Sequence, residues 1–364
     1  MSAATQTSVL EASPRGYKAR EPAAPPVRRI VKLGGAAITH KAQLETLQRD
    51  VLRRVCASLA SDGGGGTVLV HGAGSFGHHP ASEYGVARGP LSDPHVRLGF
   101  ALTRSSVTRL NGHVVGQLVE AGVPAVGLSP LGHYTTSNRE VSASGAGAVA
   151  ACLRAGLLPV LHGDAVLDEQ LGCTILSGDT LVRDLAEQLR PHFVVFLTNV
   201  AGVYDRPPEE EGARLLRRIV VRKDGSWRVA EAEGGCQVDV RMTADAHDVT
   251  GGIALKVEEA ARVARLGVPV LIAQAGSEDG ALACRLGPRA AGAGATGAAA
   301  PEPGLGPTCG SEGTCSEGPA GTQQQQQGAE PGGGQGAAAW RGTLVMLEEE
   351  GPGEEAAGVP GAAG

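Results

Sequence analysis

Aromatic residues make up only 3% of this 364-residue chain. Its interior therefore has to be built from Val, Leu, Ile and Ala, and aliphatic cores of that kind suit a parallel sheet covered by helices. Cysteine supplies no framework: the seven, at positions 56, 152, 173, 236, 284, 309 and 315, are scattered, odd in number and form no C-x-x-C pair. That pattern argues against a disulfide scaffold or a zinc site, and a reducing compartment, the cytoplasm, is the expected location. No apolar run reaches membrane-spanning length, and no signal-peptide core is visible. There is no long basic block and the net charge is −6, so neither nucleic acid nor a membrane is an expected partner. What the chain does have is 42% hydrophobic residues, enough for a sizeable core in one large or two ordinary domains.

Residues 1–26 read as a disordered leader. Their Ser, Ala and Arg content weakly resembles a transit peptide, whereas Glu11, Glu21 and the prolines do not, so organelle targeting stays open. From 27 to 285 short apolar runs alternate with helix-length segments. Strands are expected at 28–33, 67–70, 124–128, in "LPVLHG", in "FVVFLTN" and at 268–273. Helices are expected at 42–60, 96–122, in "GAVAACLRAG", in "DTLVRDLAEQLR" and at 254–267. Between Tyr204 and about Asp239 an Asp224-Gly225 turn separates two strand-like runs, a hairpin excursion. Residues 286–338 are rich in Gly, Ala, Pro and Gln and are expected to be disordered; 339–348 return as a final strand, and 349–364 form an acidic disordered tail. The alternation implies an α/β fold, a three-layer αβα sandwich with a mostly parallel central sheet.

In such sheets ligands bind beyond the carboxyl ends of the strands. The polar and Gly-rich stretches fall at those ends: Gly34-Gly35, Gly72 to Gly77, Gly163-Asp164 and Thr198-Asn199. The "VHGAGSFGHH" stretch contains G-x-G-x-x-G, yet two contextual checks for a dinucleotide site fail. An earlier strand already carries its own glycine pair, and the acidic residue wanted about 20 residues on, Asp93, sits in a turn-like segment. A hydrolase elbow needs glycine where Ala73 stands, and the P-loop pattern is absent. What remains is a loop whose glycines let backbone N–H groups approach an anion, leading into a helix expected to begin near His78.

Two lysines flank the first glycine pair. Lys32 lies inside "IVKL", an odd place for an ammonium unless it reaches the ligand crevice; Lys41 follows nine residues later. Asp179, in "LSGDTL", is either a helix cap or the carboxylate that holds lysines in place. "DVTGGIALK" adds Gly252 and Lys256 at another loop-to-helix junction. Phosphoryl transfer needs positive charge, N–H donors and in-line placement more than covalent chemistry, and this inventory meets that need.

In order along the chain, "VKLGGAAITHK", "VLVHGAGSFGHH", "ILSGDTL", "FLTNVAGVYDRP", "DVTGGIALK" and the closing "GTLV" resemble the amino acid kinase superfamily and, within it, the isopentenyl phosphate kinase family. The resemblance implies a kinase domain over 27–285 and 339–348, usually homodimeric, that moves the ATP γ-phosphate to isopentenyl phosphate. It implies that Lys32, Gly34, Gly35, Gly74, Asn199, Gly202, Tyr204, Gly252 and Lys256 serve ATP. Lys41 would stabilise the transition state and Asp179 would orient the lysines. Ala73, His78 and Gly178 would serve the acceptor, with Mg2+ riding on the phosphates and no metal ligands from the protein. Three features depart from the family pattern: Ala36 stands where a hydroxyl residue is common, Asn199 where an aspartate is common, and the low-complexity insertion precedes the last strand. The alternatives are another kinase of this fold, acting on a carboxylate, a phosphonate or a nucleoside monophosphate, and a non-catalytic nucleotide sensor.

Overall fold

A computed structural model describes residues 26–40, 42–234, 241–242, 253–292 and 339–349, with backbone alone at 241–242 and 253–256. The leader, most of the low-complexity stretch and the tail lie outside the described residues. The strands, in chain order, are β1 (Arg29–Leu33), β2 (Thr67–His71), β3 (Ala125–Gly127), β4 (Thr135–Ser137), β5 (Glu140–Ala143), β6 (Leu158–His162), β7 (Asp164–Asp168) and β8 (Gly172–Leu176). They continue with β9 (Phe193–Thr198), β10 (Val203–Tyr204), β11 (Leu215–Val221), β12 (Trp227–Ala232), β13 (Arg241–Met242), β14 (Val270–Gln274) and β15 (Thr343–Leu347). The helices are α1 (Gly35–Ile38), α2 (Arg49–Ser61), α3 (Gly74–Glu83), α4 (Pro94–Glu120), α5 (Ala146–Arg154), α6 (Gly178–Leu189), α7 (Ile253–Ala264) and α8 (Glu278–Leu286).

The main sheet runs β13-β12-β11-β15-β14-β9-β1-β2-β6-β3, with β10 pairing on β11. Its centre, β14-β9-β1-β2-β6-β3, is parallel throughout. β1 shows why: Ile30 joins the core on one face while Val31 and Leu33 join the core on the other. A strand buried on both faces needs a continuous apolar run and crossover helices above and below. Helices α5, α6 and α7 cover the Ile30 face; α2, α4 and α8 cover the other. The expected αβα sandwich is what forms, and the Asp224-Gly225 hairpin appears as β11 and β12.

Local chemistry sets several boundaries. The α4 start is capped by Asp93, whose carboxylate accepts from His95 N at 2.8 Å, with Pro94 in the first turn. Asp93 is therefore a cap, as its turn-like setting implied. Where a helix was expected from residue 42, turns run to Gln48 and α2 begins at Arg49; the Gln48 amide donates to Ala36 O and Thr39 O, both at 3.2 Å. The stretch expected to be disordered from 286 stays ordered through a 3-10 turn, Gly287–Gly292, because Ala290 is fully buried there.

A second sheet, β5-β4-β7-β8, stands beside the first. It leaves the main sheet at Gly163, between β6 and β7, and returns to it through β8 and α6. Asp168 braces its turns, accepting backbone N–H bonds from Asn138, Arg139, Gln170 and Leu171 at 2.8–3.1 Å. Against the upward push of burial, those donors hold its carboxyl well below the usual range.

Candidate active site

The carboxyl ends of β1, β2, β6, β8 and β9 open onto one rim. From it a crevice of about 680 Å³ extends, lined by Lys32, Gly35, Gly72, Ala73, Gly74, His78, Gly163, Asp164, Gly178 and Asp179 among others. A smaller compartment of about 220 Å³ adjoins it, lined by Gly34, Phe196, Thr198, Asn199 and Glu259. Lys32, Gly35, Ala36 and Asp179 line both.

That shared wall is built by close backbone approach. A Cβ on Gly35 would sit 2.4 Å from Gly74 N, and one on Gly74, at φ +51°, would sit 2.3 Å from Thr39 Oγ1. Only glycine lets the β1–α1 and β2–α3 turns touch in this way. The Thr39 hydroxyl then accepts from Ser75 N at 3.0 Å, tying the two turns together. A Cβ on Gly163 would lie 3.5 Å from Gly178 N and 3.6 Å from Ala73 N. The Ala73 and Gly178 amides, from two segments, therefore meet beside Gly163 at the crevice floor, while the Gly163 N–H itself donates to His71 O at 2.9 Å. Gly178 opens α6, so its N–H has no carbonyl one turn back to bond, and the helix start adds partial positive charge.

Lys32 projects from β1 toward the Ile30 face and ion-pairs with Asp179; its ammonium also lies 5.1 Å from the centroid of the Phe196 ring. The pair resolves the odd lysine in an apolar strand: the charge is partnered and only partly buried. Asp179 is not the α6 cap. Ser177 is, its hydroxyl accepting from Thr180 N at 3.0 Å, which leaves the Asp179 carboxylate for Lys32. Glu259, from α7, faces the same compartment; burial first, then the charge of Asp179, raises its carboxyl above the usual range.

Of the residues singled out from sequence, Lys32, Gly34, Gly35, Ala73, Gly74, His78, Gly178, Asp179 and Asn199 line one or both compartments. His78 does so from the second turn of α3, which starts at Gly74, four residues earlier than expected. Gly202 and Tyr204 line neither. Gly202 packs where a Cβ would meet Thr343 Oγ1 at 2.5 Å, and Tyr204 pairs with Leu215 in β10 and β11. Lys41 and Gly252 lie outside the described residues. Lys256 lies on the backbone of α7, its side chain outside them.

Asp164, flagged with Gly163 at a strand end, has a fully buried side chain paired with Arg104 Nε at 3.2 Å; Arg104 also donates to Ser129 Oγ at 2.7 Å. Sequence reasoning missed Arg104 and the residues beneath the floor. His71 and His162 end β2 and β6 and stack on each other. A repeated pattern, an apolar strand ending His-Gly at 71–72 and at 162–163, was the signal available for them. Among the described residues no group of three His, Cys, Asp or Glu side chains converges closely enough to hold a metal, and no helix is long and apolar enough to cross a membrane.

Comparison with known proteins agrees with the geometry. The amino acid kinase family model matches residues 27–274. The chain is similar to isopentenyl phosphate kinase of Arabidopsis thaliana, 43% identical over 292 residues, covering 68% of this chain and 87% of that protein. It is also similar to isopentenyl phosphate kinase of Methanothermobacter thermautotrophicus, 35% identical over 246 residues, covering 66% of this chain and 88% of that one. Among solved structures, X-ray structures of isopentenyl phosphate kinase superpose with a TM-score of 0.58 at 30% identity, covering 71% of this chain and 96% of the matched one.

Proposed function

The chain belongs to the amino acid kinase family and groups with its isopentenyl phosphate kinases, and from that membership we propose that it transfers the ATP γ-phosphate to isopentenyl phosphate, giving isopentenyl diphosphate. The observation that carries the reading is the shared wall. A nucleotide in the smaller compartment and an acceptor in the larger crevice meet at Lys32 and Asp179. Two phosphates brought together there need charge neutralisation and in-line placement more than a protein nucleophile.

In this reading Lys32 contacts the moving phosphoryl group, and Asp179 keeps its ammonium extended. The amides around Ala73, Gly74 and Gly178 receive the acceptor phosphate, and His78 donates to it. Ala81, Ala87, Val107 and Ile175 supply apolar lining for the isopentenyl tail. Gly34, Gly35 and Asn199 serve the nucleotide; by resemblance Gly252 and Lys256 serve it too, and Lys41 stabilises the transition state. Mg2+ fits as a companion of the ATP phosphates, screening their charge, since the carboxylate on the shared wall, Asp179, is engaged by Lys32. Homodimerisation and a cytoplasmic location belong to the same proposal.

Purified protein with ATP and Mg2+ is expected to turn over isopentenyl phosphate in preference to amino acids and nucleoside monophosphates. Brisk turnover of either of those without isopentenyl phosphate would overturn the assignment. His78→Ala removes a charge-assisted hydrogen bond, so acceptor KM is expected to rise roughly ten- to hundredfold with ATP KM little changed.

A further inference from the structure

Two imidazoles lie directly under the crevice and line neither compartment. His71 and His162 end neighbouring parallel strands in register, and their rings stack with centroids 5.6 Å apart and planes 24° apart. Both are essentially inaccessible to solvent. Each makes the same local contact: His71 Nδ1 lies 3.0 Å from Gly72 O, and His162 Nδ1 lies 3.1 Å from Gly163 O. A carbonyl oxygen only accepts, so each Nδ1 carries the proton. The other nitrogen of His71 is assigned independently. Asn111 Nδ2, a donor, lies 3.2 Å from His71 Nε2, which must therefore be the bare, accepting nitrogen. Asn111 Nδ2 also lies 3.3 Å from Val160 O, which holds it between the two strands.

The Gly72 carbonyl and the Ala73 N–H belong to one rigid trans unit and point in opposite directions. A carbonyl pulled toward a buried imidazole aims the Ala73 N–H away from the core, toward the crevice that Ala73 lines. The Gly163 carbonyl is held in the same way, and the Gly163 N–H donates to His71 O at 2.9 Å, locking the two strand ends together. Beyond Gly163, Asp164 pairs with Leu176, which sets the height of Ser177 and Gly178. We propose that His71 and His162 are positioning residues for phosphoryl transfer: His71, donating through Nδ1 to Gly72 O, aims the Ala73 amide that receives the acceptor phosphate, and His162, donating through Nδ1 to Gly163 O, fixes the turn into β7 that sets the height of the Gly178 amide. Their surroundings keep them uncharged. Burial, then the neighbouring imidazole, lowers the pKa of His71 to about 3, and burial lowers that of His162 against the opposing pull of Asp164.

The inference rests on the kinase reading for its kinetic test and not for its spectroscopic one. In His71→Asn the amide nitrogen takes the place of Nδ1; in His71→Gln it takes the place of Nε2. Turnover of isopentenyl phosphate by the wild-type protein tests the kinase reading itself. Given that turnover, the Gln variant is expected to lose about tenfold or more in acceptor kcat/KM, with ATP KM little changed, and the Asn variant to recover most of the loss. Equal behaviour of the two variants, or acceptor and ATP KM rising in step, would overturn the proposal. Long-range proton–nitrogen NMR of the wild-type protein at neutral pH needs neither turnover nor a folded variant. Both rings are expected to be Nδ1-protonated with a bare Nε2, and an Nε2–H tautomer or an imidazolium at either position would refute the proposal.

Discussion

Replacing Gly35 by alanine tests the contact on which the shared wall depends. The new Cβ would lie 2.4 Å from Gly74 N, 2.7 Å from Gly74 Cα and 3.2 Å from Gly72 C, all backbone atoms with no side chain to swing aside. Ordinary carbon contacts begin near 3.5 Å, so the two turns must part by about 1 Å. Overpacking of that kind costs about 1–3 kcal/mol, or ~2–12 °C in Tm for a folded unit of this size. The kinetic cost is larger in proportion. A 1 Å displacement in a site that depends on in-line placement costs on the order of a hundredfold. Gly35 lines both compartments, so kcat should fall and both KM values should rise. Steady-state kinetics beside a thermal melt reads both effects. A variant with wild-type kcat and Tm would refute the reasoning, because it would mean that the two turns are not in contact in the working enzyme.

Gly112→Ala is the matched opposite. Gly112 lies on an exposed face of α4 with nothing within 4 Å of a built Cβ, so alanine should stabilise by about 0.5–1 kcal/mol without changing turnover, as a urea melt and the same kinetic assay would show. Asp179→Asn keeps the shape but removes the charge that holds Lys32; kcat is expected to fall roughly ten- to hundredfold, and an unchanged kcat would contradict the ion pair's role. Stability should also depend on acid in a defined window. His71 is lowered from 6.5 to about 3 and His162 is lowered too, so below about 6.5 the unfolded chain binds protons that the folded chain refuses. The contribution is complete above 6.5 and is lost as pH falls, with a slope of up to about 1.4 kcal/mol per pH unit for each histidine. Denaturant melts between pH 7 and 5 should show that decline, and a flat profile would contradict burial of uncharged rings.

The parts legible in the sequence are those that a two-sided core forces. β1, β2, β6 and β9 are apolar runs ended by glycine or a polar pair, and α6 carries an apolar face behind a serine cap. The second sheet was not legible. β4 and β5 are short, polar and partly exposed, with no periodic signal to distinguish them from loop. The start of α3 was placed too late because Gly74 and Gly77 read as loop residues, whereas packing selects them: a Cβ on Gly77 would sit 2.5 Å from Ala73 Cβ. α8 was hidden similarly by Gly280, whose own Cβ would sit 2.3 Å from Gln274 O. At the site, Lys32, His78 and Asp179 stand out by residue type and neighbourhood. His71, His162, Asn111 and Arg104 do not, because they act under the surface and each has a partner 40 or more residues away in the chain.

The central claim is that a phosphoryl group passes across Lys32 and Asp179 between two ligands in adjoining compartments. A crystal structure with isopentenyl phosphate and a non-hydrolysable ATP analogue tests it most directly. The account predicts the acceptor phosphate beside His78 and the Ala73 and Gly178 amides, with the nucleotide γ-phosphate facing it at Lys32. Either ligand bound away from that shared wall, or two phosphates held apart with Lys32 touching neither, would contradict it.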